Sequence, residues 1–150
     1  MLQNHISVSQ SQEVCLRVTP KAILFDLDGT LAHQENRVTE KEVSELLLRK
    51  GYPISPQPLK AAWAFVAFID YPKYGYKNWH TFFSRILWRL KAEVDDETLR
   101  SIVKFLEGTE YALYPDASVA VALAKEQGFK TAIVTTIARF RFEKAIAPIN

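Results

Sequence analysis

The chain lacks the features that mark several large classes of protein. It has one cysteine, Cys15, in 150 residues, so no internal disulfide is available. A reducing compartment is the expectation. Charge of one sign is also missing: 19 Lys and Arg stand against 17 Asp and Glu, a net +2. The basic residues are scattered, so no nucleic-acid partner is expected. No run approaches the ~18 apolar residues that cross a bilayer, so no membrane partner is expected either. The opening residues, MLQNHISVSQSQEV, lack the basic start and apolar run of a secretory signal. Residues 1–19 read as a flexible leader with a short strand at Val14–Val18, and the expected location is cytoplasmic.

What is present suits a globular chain: 48% hydrophobic and 24% charged residues, in a length that holds one domain or a small core with an insert. Residues 21–27, KAILFDL, form an apolar run of strand formers ending in Asp-Gly-Thr. This predicts a buried parallel strand, apolar on both faces. Thr39 to Glu42 fits a capping box, flanked by Val38 and Val43 as a staple, and the helix that follows stops at Gly51. Ser55-Pro56 opens the next helix, roughly Leu59 to Ile69, which is apolar nearly all round and needs a covering partner. Tyr71 to Tyr76 reads as a turn. Helices follow at about Trp79 to Lys91 and from Asp95 to Gly108. Residues 33–111 are thus expected to be a helical insert. At Tyr114-Pro115 the pattern changes: Asp116 caps a helix closed by Gly128, a strand runs from Lys130 to Val134, and Ile137 to Ile149 is amphipathic. The order is that of an α/β crossover interrupted by helices, with the core at 20–32 and 112–150.

The chemistry lies at Asp26-Leu27-Asp28-Gly29-Thr30. Residues two apart on a strand face the same way, so Asp26 and Asp28 meet at its carboxyl end, where open parallel sheets bind ligands. Adjacent carboxylates repel unless a cation or a shared proton relieves them, and Mg²⁺, a hard ion with oxygen ligands, suits both as metal ligands. Gly29 allows a sharp turn, and the amides beyond it, at Thr30 onward, can face a phosphate. One carboxylate can attack phosphorus and the other can serve as acid and base. Thr135 closes the second strand, where its hydroxyl can meet a phosphate oxygen, as can the amide of Thr136 at the start of the next helix. Other residues carry less. His33 reads as a hinge histidine in solvent, Arg139 and Arg141 as a solvated helix face, and Trp63, Trp79 and Phe82 as the insert's core.

Ile23 to Leu31, ILFDLDGTL, resembles the first motif of the haloacid dehalogenase-like (HAD) hydrolases. Tyr114-Pro115-Asp116, Gly128 and AIVTT resemble the approach to that family's second motif. The resemblance implies an incomplete α/β Rossmannoid core with an inserted helical cap, as in the phosphoglycolate-phosphatase-like branch. It implies Asp26 as nucleophile, Asp28 as acid and base with its backbone carbonyl on Mg²⁺, and Thr135 on the phosphate. Family dehalogenases usually lack an Asp at the position of Asp28, so phosphoryl transfer is favoured, with a small phosphorylated metabolite as partner. The alternatives are a non-catalytic remnant or subunit, or a sugar-phosphate mutase using the same two aspartates.

The family pattern continues with a Lys and then an acidic pair, neither of which follows Thr135 at the right distance; Lys144 is too close. The expectation is a fragment, a truncated product, or one half that self-associates or is completed by another chain. We expect the purified 150-residue chain to hydrolyse p-nitrophenyl phosphate with Mg²⁺ weakly or not at all. Clear turnover, abolished by Asp26→Asn, would refute this.

Overall fold

A computed structural model of the chain describes residues 20–149. The leader, with its expected strand at Val14–Val18 and with Cys15, lies outside the described residues. Strand β1 (Ala22–Phe25) is shorter than the apolar run that announces it. After a tight loop comes β2 (Ala32–Gln34), then helices α1 (Glu40–Arg49) and α2 (Pro56–Phe65). A π-helical stretch, Val66–Asp70, leads into the single turn α3 (Tyr71–Tyr74), followed by α4 (Trp79–Arg89) and α5 (Asp96–Glu107). Strand β3 (Tyr111–Leu113), helix α6 (Ala117–Glu126), strand β4 (Lys130–Ile133) and helix α7 (Arg139–Ile146) complete the order.

The strands β1 and β4 pair in parallel, Ala22 opposite Lys130 through Phe25 opposite Ile133. This is an α/β arrangement whose crossover contains the helices. A second pairing, β2 with β3, is antiparallel, with His33 opposite Ala112. The insert expected at 33–111 to be purely helical therefore begins and ends in strand. Three-residue strands carry no readable period, and only their mutual pairing makes them regular.

Local signals set most helix ends. Thr39 and Glu42 form the capping box: the Thr39 amide donates to Glu42 Oε2 at 2.8 Å and the Glu42 amide to Thr39 Oγ1 at 3.4 Å. Asp95 caps α5 by accepting from the Thr98 amide at 2.7 Å. Asp116 precedes α6 as expected, but its side chain makes no cap bond. The helix expected at Leu59 to Ile69 starts earlier, at Pro56, and runs on as π helix, with the Tyr71 amide donating to the Val66 carbonyl. Pro72 explains the continuation, because it cannot donate an α-helical bond and a wider turn accommodates it. The stretch expected to be a turn at Tyr71 to Tyr76 is helical as far as Gly75, whose φ of 61° ends it.

Two apolar clusters divide the interior. The larger joins Val43, Leu47, Leu59, Phe83, Ile86 and Ile102 from the four long helices. The smaller gathers Leu27, Leu31, Ala117 and Ala145 beneath the strands. Phe140 of α7 packs on the larger one, so the two meet there. Beside the larger cluster Asp70 is buried, accepting from Arg85 Nε at 2.8 Å and Arg89 Nη1 at 3.4 Å. The sheet is less covered than its sequence predicts: Leu24 is 65% and Val134 58% exposed, because no layer lies over that face among the described residues. Likewise Phe68 and Ile69 of the apolar second helix remain exposed.

Phe83 has no exposed surface, so Phe83→Ala should lower unfolding free energy by about 3–5 kcal/mol in urea titration. The Asp95 carboxyl is held at about 2, chiefly by the Thr98 amide and then by the Tyr52 hydroxyl. A depressed carboxyl stabilises the fold fully above its unfolded value and loses that contribution as pH falls through the folded one. Stability should therefore drop between about pH 4 and 2, and Asp95→Asn should remove part of that drop in urea titrations at each pH.

Candidate functional site

The loop after β1 is shaped by one carbonyl. The Leu27 oxygen accepts from the amides of Thr30 at 3.3 Å, Leu31 at 3.0 Å and Ala32 at 2.9 Å, while the Gly29 amide donates to the Ala32 oxygen at 2.8 Å. Gly29 takes φ 92°, a left-handed conformation that a residue with a Cβ adopts only under strain. The expectation that the amides beyond Gly29 face a phosphate is corrected here: those of Thr30, Leu31 and Ala32, like that of Gly29 itself, close the loop on itself. Leu27 is fully buried, whereas Asp26 and Asp28 on either side are exposed. The alternation expected of a strand thus continues past the strand's end.

Both aspartates border one cavity of about 650 Å³ between the strands and the helices. Gly29, Thr135 and Thr136 border it too. Thr30 does not; its hydroxyl lies 3.4 Å from Asp26 Oδ2. Thr135 lies two residues past the end of β4 and one beyond the level of Asp26, and the Val134 amide, bonded to the Phe25 carbonyl at 2.9 Å, carries the pairing up to it. The Thr135 hydroxyl accepts from the Ile137 amide at 3.2 Å, which leaves its own proton free to donate. The amide of Thr136 is not at a helix start. Helix α7 begins only at Arg139, since residues 135–138 first turn on the Thr135 hydroxyl, and the helix-terminus argument for that amide falls away.

Asp28 is held from two sides. Gln34 Nε2 of β2 donates to its Oδ2 at 3.3 Å, and Arg141 Nη2 lies 3.9 Å from the same oxygen. Arg141 also donates to the Tyr111 hydroxyl. It is not on a solvated helix face: its side chain is 21% exposed, and its guanidinium lies 5.3 Å from the Trp79 ring centre. Burial pushes the Tyr111 phenol up; the Arg141 charge opposes this and the Asp28 charge adds to it. His33 is not a solvent histidine either. It is half-buried on β2, its ring 4.7 Å from that of Tyr114, and its Nδ1 is buried without a hydrogen-bond partner beside the cavity. Sequence reasoning passed over both residues, since only the β2–β3 pairing and the docking of α7 bring them to the aspartates.

Asp26 and Asp28 supply oxygen donors of the type a hard divalent ion takes. No cluster of three or more His, Cys, Asp or Glu exists among the described residues. Two carboxylates suit an ion such as Mg²⁺, which keeps several of its waters and commonly binds through one or two acids.

The family model for haloacid dehalogenase-like hydrolases matches residues 20–149. The chain belongs to this family. Two solved structures are similar over 87% of the chain: a dehalogenase (18% identity, 57% of that chain, TM-score 0.45) and an L-2-haloacid dehalogenase from Xanthobacter autotrophicus (22% identity, 52% of that chain, TM-score 0.46). A predicted phosphoglycolate phosphatase from Haemophilus somnus is similar over 77% of the chain (18% identity, 51% of that chain, TM-score 0.39). The chain therefore spans about half the length of these structures. None of the three bears on which reaction this HAD-like chain performs. A search of curated proteins finds no match. No helix among the described residues is long and apolar enough to cross a membrane.

Proposed function

We propose that this HAD-like chain carries the nucleophile-bearing part of a Mg²⁺-dependent phosphomonoester hydrolase. The observation that supports this most is the meeting of Asp26, Asp28 and Thr135 on one cavity at the ends of two paired parallel strands. The family's hydrolytic chemistry makes Asp26 the attacking group. Its carboxylate forms a bond to phosphorus as the bond to the ester oxygen breaks, giving an aspartyl-phosphate. Asp28 protonates the departing alcohol and then takes a proton from the water that releases phosphate and restores Asp26. Thr135 donates to a phosphate oxygen. Arg141, close to Asp28, offers a cation to the same group. The metal, held by Asp26 and Asp28, would offset the repulsion between carboxylate and phosphate. An acid at position 28 supports phosphoryl transfer over carbon–halogen cleavage, which has no leaving alcohol to protonate.

A second reading, a binding subunit without catalysis, is favoured by the absence of a third acid beside the pair among the described residues. The two readings part on one experiment. Beryllofluoride with Mg²⁺ should form a stable adduct on Asp26, seen by mass spectrometry or fluorine NMR, and Asp26→Asn should abolish it. No adduct and no Mg²⁺ affinity, from a chain that is folded and assembles with itself or another chain, would favour the second reading.

A further inference from the structure

We propose that the cavity selects phosphomonoesters whose alcohol carries a flat aromatic group, with the ring against Trp79 and Phe140 and the phosphate at Asp26 and Thr135. This rests on the phosphatase reading and adds the class of substrate. The cavity is one starting point. Its roughly 650 Å³ falls within the range of about 300–1,000 Å³ that takes ligands of drug size, far more than a phosphate on a short alcohol fills.

The wall is the second observation. Trp63, Tyr71, Trp79 and Phe140 border the cavity, and each is only half-buried. Phe83, which serves the interior alone, is fully buried and does not border it. The cavity rings are fixed by edge-on neighbours: Trp79 and Phe140 have centres 5.2 Å apart at 72°, and Trp79 and Phe82 5.6 Å apart at 89°. Such contacts hold ring surface in place before a ligand arrives, which lowers the entropy cost of binding.

Arg141 ties this wall to the acidic end. It lies 3.9 Å from Asp28 and 5.3 Å from the Trp79 ring centre. A ligand with its phosphate near Arg141 therefore has the rings beside it. The polar groups on the cavity include Gln34, Arg37, Glu40 and Lys60, but against the ring faces of Trp79 and Phe140 the hydroxyls of a polyhydroxylated alcohol find no partner, and desolvating them there without replacement is unfavourable. An aromatic alcohol exchanges water for ring contact.

The test compares 2-naphthylmethylphosphonate with propylphosphonate by calorimetric titration of the full chain in Mg²⁺. Both carry a phosphorus–carbon bond that carboxylate attack leaves intact, so affinity is read without turnover. The naphthyl compound is expected to bind at least tenfold more tightly, in competition with inorganic phosphate. Trp79→Ala should erase the difference between the two phosphonates. Equal affinities on the unaltered chain, with inorganic phosphate bound, overturn the substrate class and leave the phosphatase reading standing. Failure to bind inorganic phosphate or either phosphonate overturns both. Naphthyl binding that saturating phosphate does not displace lies elsewhere than the phosphate end of the cavity, and overturns the proposal. A difference that persists in folded Trp79→Ala does the same. The two-ligand comparison decides even where that variant does not fold.

Discussion

The parallel pairing of β1 with β4 is the constraint on which the rest of this structure depends. With Phe25 opposite Ile133, the residues that leave the two strands leave them at one level. In this register Val134 stands level with Asp26 and Thr135 one residue further on, so a slip of one residue would move Thr135 by about 3.3 Å along the strand axis relative to the acidic pair. The loop after β1 then fixes the second acid. Four amides turn inward, three of them on the Leu27 carbonyl, and Asp28 is presented to the cavity that Asp26 also borders. The amides of residues 29–32 are thereby taken, so side chains must add to what the loop offers an anion. Thr135 and Arg141 are the ones in place.

Much of this was legible in the sequence, and the reasons differ between parts. The apolar run into Asp26-Leu27-Asp28, the capping box at Thr39 and the stops at Gly51 and Gly128 are local signals, determined within a few residues. They located β1 and β4, the main helices and the acidic pair. The ribbon of β2 and β3 was not legible, because neither His33 nor Ala112 carries a signal until the other faces it. The π-helical stretch was hidden by composition: VAFID reads as ordinary apolar helix, and only Pro72 beyond it forces the wider turn. The surroundings of Arg141 were hidden for a third reason. Its sequence neighbours, Phe140 and Phe142, suggest a mixed face, and only docking of α7 against Tyr111 and Trp79 decides which way the guanidinium lies.

The distribution of apolar surface is informative too. The helical cluster is closed around Phe83, Leu47 and Ile102, whereas the cluster under the strands is small and the opposite sheet face carries exposed Leu24 and Val134. A two-stranded parallel sheet with one bare face has little to stabilise it by itself. Its order here comes from the loop after β1, from α7, and from contact with the helices.

That contact runs through Phe140 and Tyr71. Phe140 sits on the helix that follows Thr135, yet its ring lies against Tyr71, Trp79 and Phe82. The Arg139 amide donates to the Tyr71 hydroxyl. The junction between the two apolar clusters and the lining of the cavity are therefore built from the same rings. A change at Tyr71 or Phe140 therefore disturbs the packing between the clusters and the wall of the cavity together.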